Sequence, residues 1–269
     1  VNLGKARVVL RARSFADVVD LALPFCVAGK RALGATAALV LGPVAVLLAV
    51  LRLRLHWGWP ALWLVVAGVW LLCDGAFTVV LGELLFKEPR EVSARALLGR
   101  FLRRFGAVVF AVVVRLVALA ASASLVVPPF MLGPSTQLVR EAVLLENATF
   151  SKAWARSRAL ARYRGQFCFG LWLTTWLLPP LGALLGDLLG NTIVGFVFQL
   201  GFPLGELFVD GGSGFAAAGA LLAIPVAAAV RFLGYIDLRT RKEGWDIQLR
   251  FMRLVAEQAT GRLGRGQAA

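Results

Sequence analysis

Long apolar stretches alternate along this chain with short basic ones. The first clear apolar run is 32–52, with Pro43 as a candidate kink, and the second is 61–86. Each has the roughly 20 residues that a helix needs to cross the hydrocarbon core of a bilayer. From 106 to 147 the chain stays apolar for about forty residues, too many for one crossing. Val127-Pro128-Pro129 and Gly133-Pro134 interrupt this stretch and predict a hairpin, with 106–125 leading out and 128–147 returning. Two further runs cover 165–186, with Pro179-Pro180 inside, and 214–236. Residues 190–209 are apolar but rich in Gly and carry Pro203 and Glu206, a pattern of a re-entrant or interfacial element rather than a crossing. The predicted fold class is all-α: a polytopic transmembrane helical bundle of about six crossings with amphipathic interfacial helices.

The basic segments have helical periodicity of their own. In 1–31, Ser14 is a candidate N-cap with Asp17 as its capping-box partner, and Phe15, Val18, Val19, Ala22 and Leu23 form an apolar stripe. In 87–105, Leu97, Leu98, Phe101, Leu102 and Phe105 share one face, while Arg95, Arg100, Arg103 and Arg104 lie largely off it. Residues 148–164 repeat the pattern. In the tail, Asp246, Arg250, Arg253 and Glu257 line one stripe opposite broad apolar cover. Such helices lie in the membrane interface or dock on a bundle's mouth. The chain divides into a cytoplasmic or interfacial N-terminal helix (1–31), a transmembrane bundle (32–236) and a cytoplasmic amphipathic tail (237–269).

Composition agrees and charge adds direction. The sequence is 59% hydrophobic with a mean hydropathy of +0.77, yet its net charge is +14. The cations form no continuous patch, so nucleic-acid binding is not expected. Segments 1–31, 87–105, 140–164 and 236–269 hold 25 of the 29 Lys and Arg. Segment 183–213 has no basic residue, only Asp187, Glu206 and Asp210. The positive-inside rule places all four basic segments, and both termini, in the cytoplasm of a bacterial inner membrane, facing anionic headgroups. Trp57 and Trp59 suit the headgroup level of the opposite face. No small-residue cleavage site follows a short apolar core, so a removed signal peptide is not expected.

Ionisable groups inside the membrane are the residues most open to a functional role, since each is costly to insert. Asp74 is near the middle of the second span and Arg115 is inside the third. Their expected depths differ by about 5 Å at 1.5 Å rise per residue, within reach of an arginine. They read as a structural ion pair joining two helices, with a polar step in a solute or proton path, or a small solvated vestibule, as alternatives. Glu83 and Arg231 fall nearer span ends, where snorkelling accounts for them. Glu206 and Asp210 read as solvated loop residues or as the lining of a small outward cavity. Cys26, Cys73 and Cys168 are isolated in apolar runs, and His56 is the only histidine. Neither a metal site nor a catalytic triad is indicated. Gly211-Gly212-Ser213-Gly214 lacks the Lys-Ser/Thr of a phosphate-binding loop. No catalytic, cofactor-binding or metal residue is expected.

Two motifs carry a family resemblance. Val143-Leu144-Leu145-Glu146 is followed by Ala153-Trp154-Ala155-Arg156-Ser157-Arg158-Ala159-Leu160, and Tyr235-Ile236-Asp237-Leu238-Arg239 by Glu243-Gly244-Trp245-Asp246. Both resemble the bacterial membrane proteins grouped with the membrane domain of glycerophosphodiester phosphodiesterases. The resemblance implies a helical bundle with amphipathic cytoplasmic helices. It implies no phosphodiesterase activity, which there belongs to a separate soluble barrel. For Glu146, Arg156, Asp237, Arg239 and Glu243 it implies a structural role, tying cytoplasmic helices to span ends. The expected function is therefore a non-enzymatic membrane scaffold or partner subunit meeting a protein at its cytoplasmic face. A transporter or lipid-handling protein using Asp74 and Arg115 is the alternative.

Overall fold

The computed structural model describes residues 13–85, 87, 92–122, 127–199, 201 and 203–242. Their regular structure is helical throughout: α1 Phe15–Ala28, α2 Lys30–Leu53, α3 Trp59–Leu84, α4 Ala94–Ser122, α5 Val127–Thr136, α6 Val139–Leu145, α7 Phe150–Tyr163, α8 Gly165–Thr192 and α9 Gly214–Lys242. Among these residues, five helices are long and apolar enough to cross a membrane: α2, α3, α4, α8 with its π-helical extension Ile193–Val197, and α9. The chain is a membrane protein built as an all-α bundle. Its predicted tail helix and Glu243 lie outside the described residues.

Helix α9 is the axis. It is the most thoroughly buried of the long helices, while α4 is the most open. In a bilayer, apolar surface alone gives helices little reason to associate, because lipid tails are equally apolar. Close backbone approach supplies the contact instead. Gly182, Gly186 and Gly190 form one stripe of α8 facing Phe215 and Gly219 of α9. A Cβ at Gly219 would stand 2.1 Å from the Gly182 carbonyl oxygen, so neither helix tolerates a side chain there.

Helix α1 opens with the expected cap. Ser14 Oγ accepts from the Asp17 N–H at 3.1 Å, and Asp17 Oδ2 accepts from the Ser14 N–H at 2.9 Å. Its stripe packs on the bundle: Phe15 meets the Phe167 ring edge-on and Phe25 stacks on Phe232. Leu23, assigned to that stripe, is instead 58% exposed.

Four boundaries differ from expectation. The interfacial helix in 87–105 and the span 106–125 are one helix, Ala94–Ser122, because the lone Gly106 does not stop a run of good helix formers. The returning limb 128–147 is two short helices, α5 and α6, parted at Gln137-Leu138 just after Pro134. Within 190–209, α8 and its π turn run on to Val197, and the described residues beyond form turns up to Ser213. The last span also continues past 236 to Lys242.

The ends of the bundle segregate by chemistry. At one end, Arg13, Glu83, Arg100, Glu146, Arg156, Arg164, Asp237 and Arg239 are joined by hydrogen bonds and ion pairs. At the other, Trp63 donates to the Gly211 carbonyl at 2.9 Å and Arg52 covers the Trp59 ring. The short helices α5 and α6 form a broken limb that brings the chain back to the basic end at Glu146.

Candidate functional site

The break between α5 and α6 explains the centre of the bundle. Arg140 and Glu141 are successive residues on α6, so they point in different directions around the helix. Arg140 turns to α3, where its Nη2 pairs with Asp74 Oδ2 and its Nη1 donates to the Leu71 carbonyl at 3.0 Å. Glu141 turns to α9, where its Oε1 accepts from Arg231 Nε at 2.9 Å. Arg231 also pairs with Asp74 through its other terminus. Arg140, Asp74, Arg231 and Glu141 thus form an alternating chain of two cations and two anions, all buried. A buried charge is tolerable when paired in this way.

Space for the network is made by Gly75. A Cβ there would come 2.8 Å from the Phe101 ring and 3.6 Å from Arg140 Cδ. Arg115, on α4, reaches the same region without joining the network. It lines a cavity of about 40 Å³ together with Trp70, Asp74, Gln137, Arg140 and Arg231. A water needs roughly 10–15 Å³, so the cavity admits a few waters and nothing larger. Arg115 Nε, Trp70 Nε1 and Asp74 Oδ1 are buried there without a hydrogen-bond partner.

The expected Asp74–Arg115 pair is therefore not made. Asp74 is held by Arg140 and Arg231 instead. Arg231 is also not a snorkelling residue at a span end: it is 2% exposed and bridges both carboxylates. Arg140 and Glu141 are two charged residues inside the otherwise apolar stretch 128–147. Their value as partners followed from the number of ionisable groups in the apolar stretches, since each needs a counter-charge.

A second set of polar contacts holds the basic end. Glu146 Oε1 forms ion pairs with Arg156 Nε at 2.7 Å and Arg239 Nη1 at 3.3 Å, and accepts from the Tyr235 hydroxyl. One carboxylate thus joins α6, α7 and α9. Asp237 Oδ1 accepts from the Arg13 N–H at 2.8 Å, and Oδ2 faces Arg241 Nε at 3.0 Å and Arg164 Nη1 at 3.6 Å. The start of α1, the start of α8 and the end of α9 meet there. Glu83 pairs with Lys87 at 2.8 Å and with Arg100.

The opposite end is held by Asp187, which accepts from Ser213, from Asn191 Nδ2 at 3.0 Å and from the Leu207 N–H at 3.3 Å. Asp210 Oδ2 accepts from the Glu206 N–H at 2.9 Å and shapes the loop. An apolar pocket of about 390 Å³ lies nearby, lined by Leu48, Leu62, Pro203, Leu204, Ala217 and Leu221 among others, but neither Glu206 nor Asp210 faces it. His56 sits in the turn between α2 and α3 at φ 54. Among the described residues no three His, Cys, Asp or Glu side chains gather as a metal site would require.

No family model matches this chain, no curated protein is similar to it, and no solved structure shares its fold closely enough to be matched. The geometry is that of an apolar helical bundle with a buried chain of ion pairs at its centre.

Proposed function

We propose that this chain is a non-enzymatic membrane scaffold or partner subunit, with its basic end and both termini in the cytoplasm. The carrying observation is the buried ion-pair chain Arg140–Asp74–Arg231–Glu141, beside a cavity of about 40 Å³. A solute path needs polar groups that open to water and exchange partners. This network does the opposite: it joins α3, α6 and α9 and leaves room for a few waters. The orientation is supported by the cations gathered at one end. The scaffold role is supported by α7, whose exposed Lys152, Arg158 and Arg162 face outward from a helix fixed at Glu146. The motif resemblance to the membrane-domain family points the same way.

A second reading, transport or lipid handling, draws on one observation. The limb α5–α6 is broken within the bundle and Arg115 stands unpaired at the cavity, features that discontinuous transporter helices share.

Reconstitution separates the two. The purified chain in liposomes is expected to move neither a panel of ions and small solutes nor labelled lipid between leaflets. Photo-crosslinkers at Lys152 and Arg158 are expected to trap a discrete protein partner in cells, lost in Glu146→Gln. Flux from the purified chain alone would sink the scaffold reading.

A further inference from the structure

The basic end carries a groove that the bundle's own contacts do not use. It lies between α5, α7 and α8 and encloses about 830 Å³, with Phe130, Met131, Trp154 and Phe169 among its walls. Arg158 and Arg162, one turn apart on α7, stand at it with Gln166. We propose that this groove binds a single phospholipid with an anionic headgroup, its phosphate on Arg158 and Arg162 and an acyl chain against Phe130, Met131 and Phe169.

Charge supports this occupant. Three carboxylates of this end are engaged: Glu146 by Arg156 and Arg239, Asp237 by Arg164 and Arg241, Glu83 by Lys87 and Arg100. Arg158 and Arg162 have no ion-pair partner among the described residues, and both are exposed. Two guanidiniums one helical turn apart suit a phosphate, which accepts from their planar forks.

Depth and shape support a lipid over a free anion. Arg162 lies just before Gly165, where α8 begins its membrane run. Phe169 is one turn further in, and Phe130 packs edge-on to Trp172 at 5.8 Å, deeper again. The groove thus passes from cationic to apolar along the direction in which a phospholipid passes from phosphate to chain. Its apolar side is open: Phe130 is 52% exposed, Met131 70% and Phe169 40%. Ser157, on the buried face of α7, fixes the wall by donating to the Ser135 carbonyl at 2.8 Å. A basic pocket at a cytoplasmic helix junction is a known setting for anionic lipid. The orientation enters only as the leaflet from which that lipid comes.

The test is native mass spectrometry of the delipidated full chain, titrated with phosphatidylglycerol and with phosphatidylcholine of the same chains. Phosphatidylglycerol should bind roughly tenfold tighter, and Arg158→Gln with Arg162→Gln should abolish that preference. Phe169→Ala should weaken both lipids alike. Lys152→Gln, a cation off the groove, should change nothing. Equal binding of the two lipids, or a preference that survives the double arginine change, overturns the site. Displacement of the lipid by inorganic phosphate at comparable concentration would show a free-anion site instead, and displacement by an acidic peptide a protein-docking site. If the double variant fails to fold, brominated phosphatidylglycerol should still quench the wild-type chain more than brominated phosphatidylcholine, the excess disappearing in Trp154→Phe. An excess that persists without Trp154 contradicts the site. The delipidated chain meets added lipid at both ends, so a wrong orientation leaves this result intact and is detected separately by labelling.

Discussion

Arg231 Nε stands 2.9 Å from Glu141 Oε1, with both side chains buried, and the same guanidinium holds Asp74 on the neighbouring helix. One arginine therefore neutralises two carboxylates from two different elements. Its removal leaves both of them buried, with only Arg140 to share. Breaking a buried pair from one side costs about 3–5 kcal/mol. Arg231→Gln should lose stability on that scale in bicelle or detergent unfolding. Arg231→Lys should recover only part, because a point charge cannot present two parallel forks.

Arg115 makes the opposite prediction. Its Nε has no hydrogen-bond partner and it forms no ion pair among the described residues, so Arg115→Gln should change unfolding stability by less than about 1 kcal/mol or raise it. The double change Asp74→Asn with Arg115→Gln should then be no more stable than Asp74→Asn alone. Rescue by the second change would mean that the two groups are partners after all.

The α8–α9 seam predicts a contrast among glycines. Gly219→Ala drives a methyl to 2.1 Å from a backbone oxygen, with no flexible side chain to yield. It should be among the most destabilising single changes in the chain. Gly34 and Gly42, on α2, have nothing within 4 Å of a built Cβ. Alanine at either should be neutral or stabilising by up to about 1 kcal/mol, from helix propensity. Thermal unfolding of the three variants decides the matter.

Glu146 links three helices through one carboxylate, so Glu146→Gln should loosen α7 without unfolding the bundle. The measurement is hydrogen exchange across 150–163. Protection should fall there and stay unchanged in α3, whose buried Asp74 pairs with Arg140 and Arg231 rather than with Glu146.

Much of this architecture was legible in the sequence. The five long apolar helices and the Ser14–Asp17 cap could be read from spacing and residue type. The partners of Asp74 could not, and the reason is geometric. Counting rise per residue matches depth, which paired Asp74 with Arg115, but depth says nothing about which way a side chain points around its helix. Arg231 was misread because the last span was ended at 236. Helix α9 runs to Lys242, so Arg231 lies well inside it. The Gly182–Gly186–Gly190 stripe was visible as small residues four apart and was overlooked, although that spacing is what lets membrane helices approach closely.

The proposed topology puts the basic end of the bundle in the cytoplasm. Single-cysteine labelling tests it most directly, with Cys26, Cys73 and Cys168 replaced by Ala. Asp210→Cys and Lys152→Cys lie at opposite ends of the bundle, and both positions are exposed. An impermeant maleimide added to intact cells should label position 210 and leave 152 untouched until the membrane is opened. Labelling of 152 in intact cells, or protection of 210, would contradict the account.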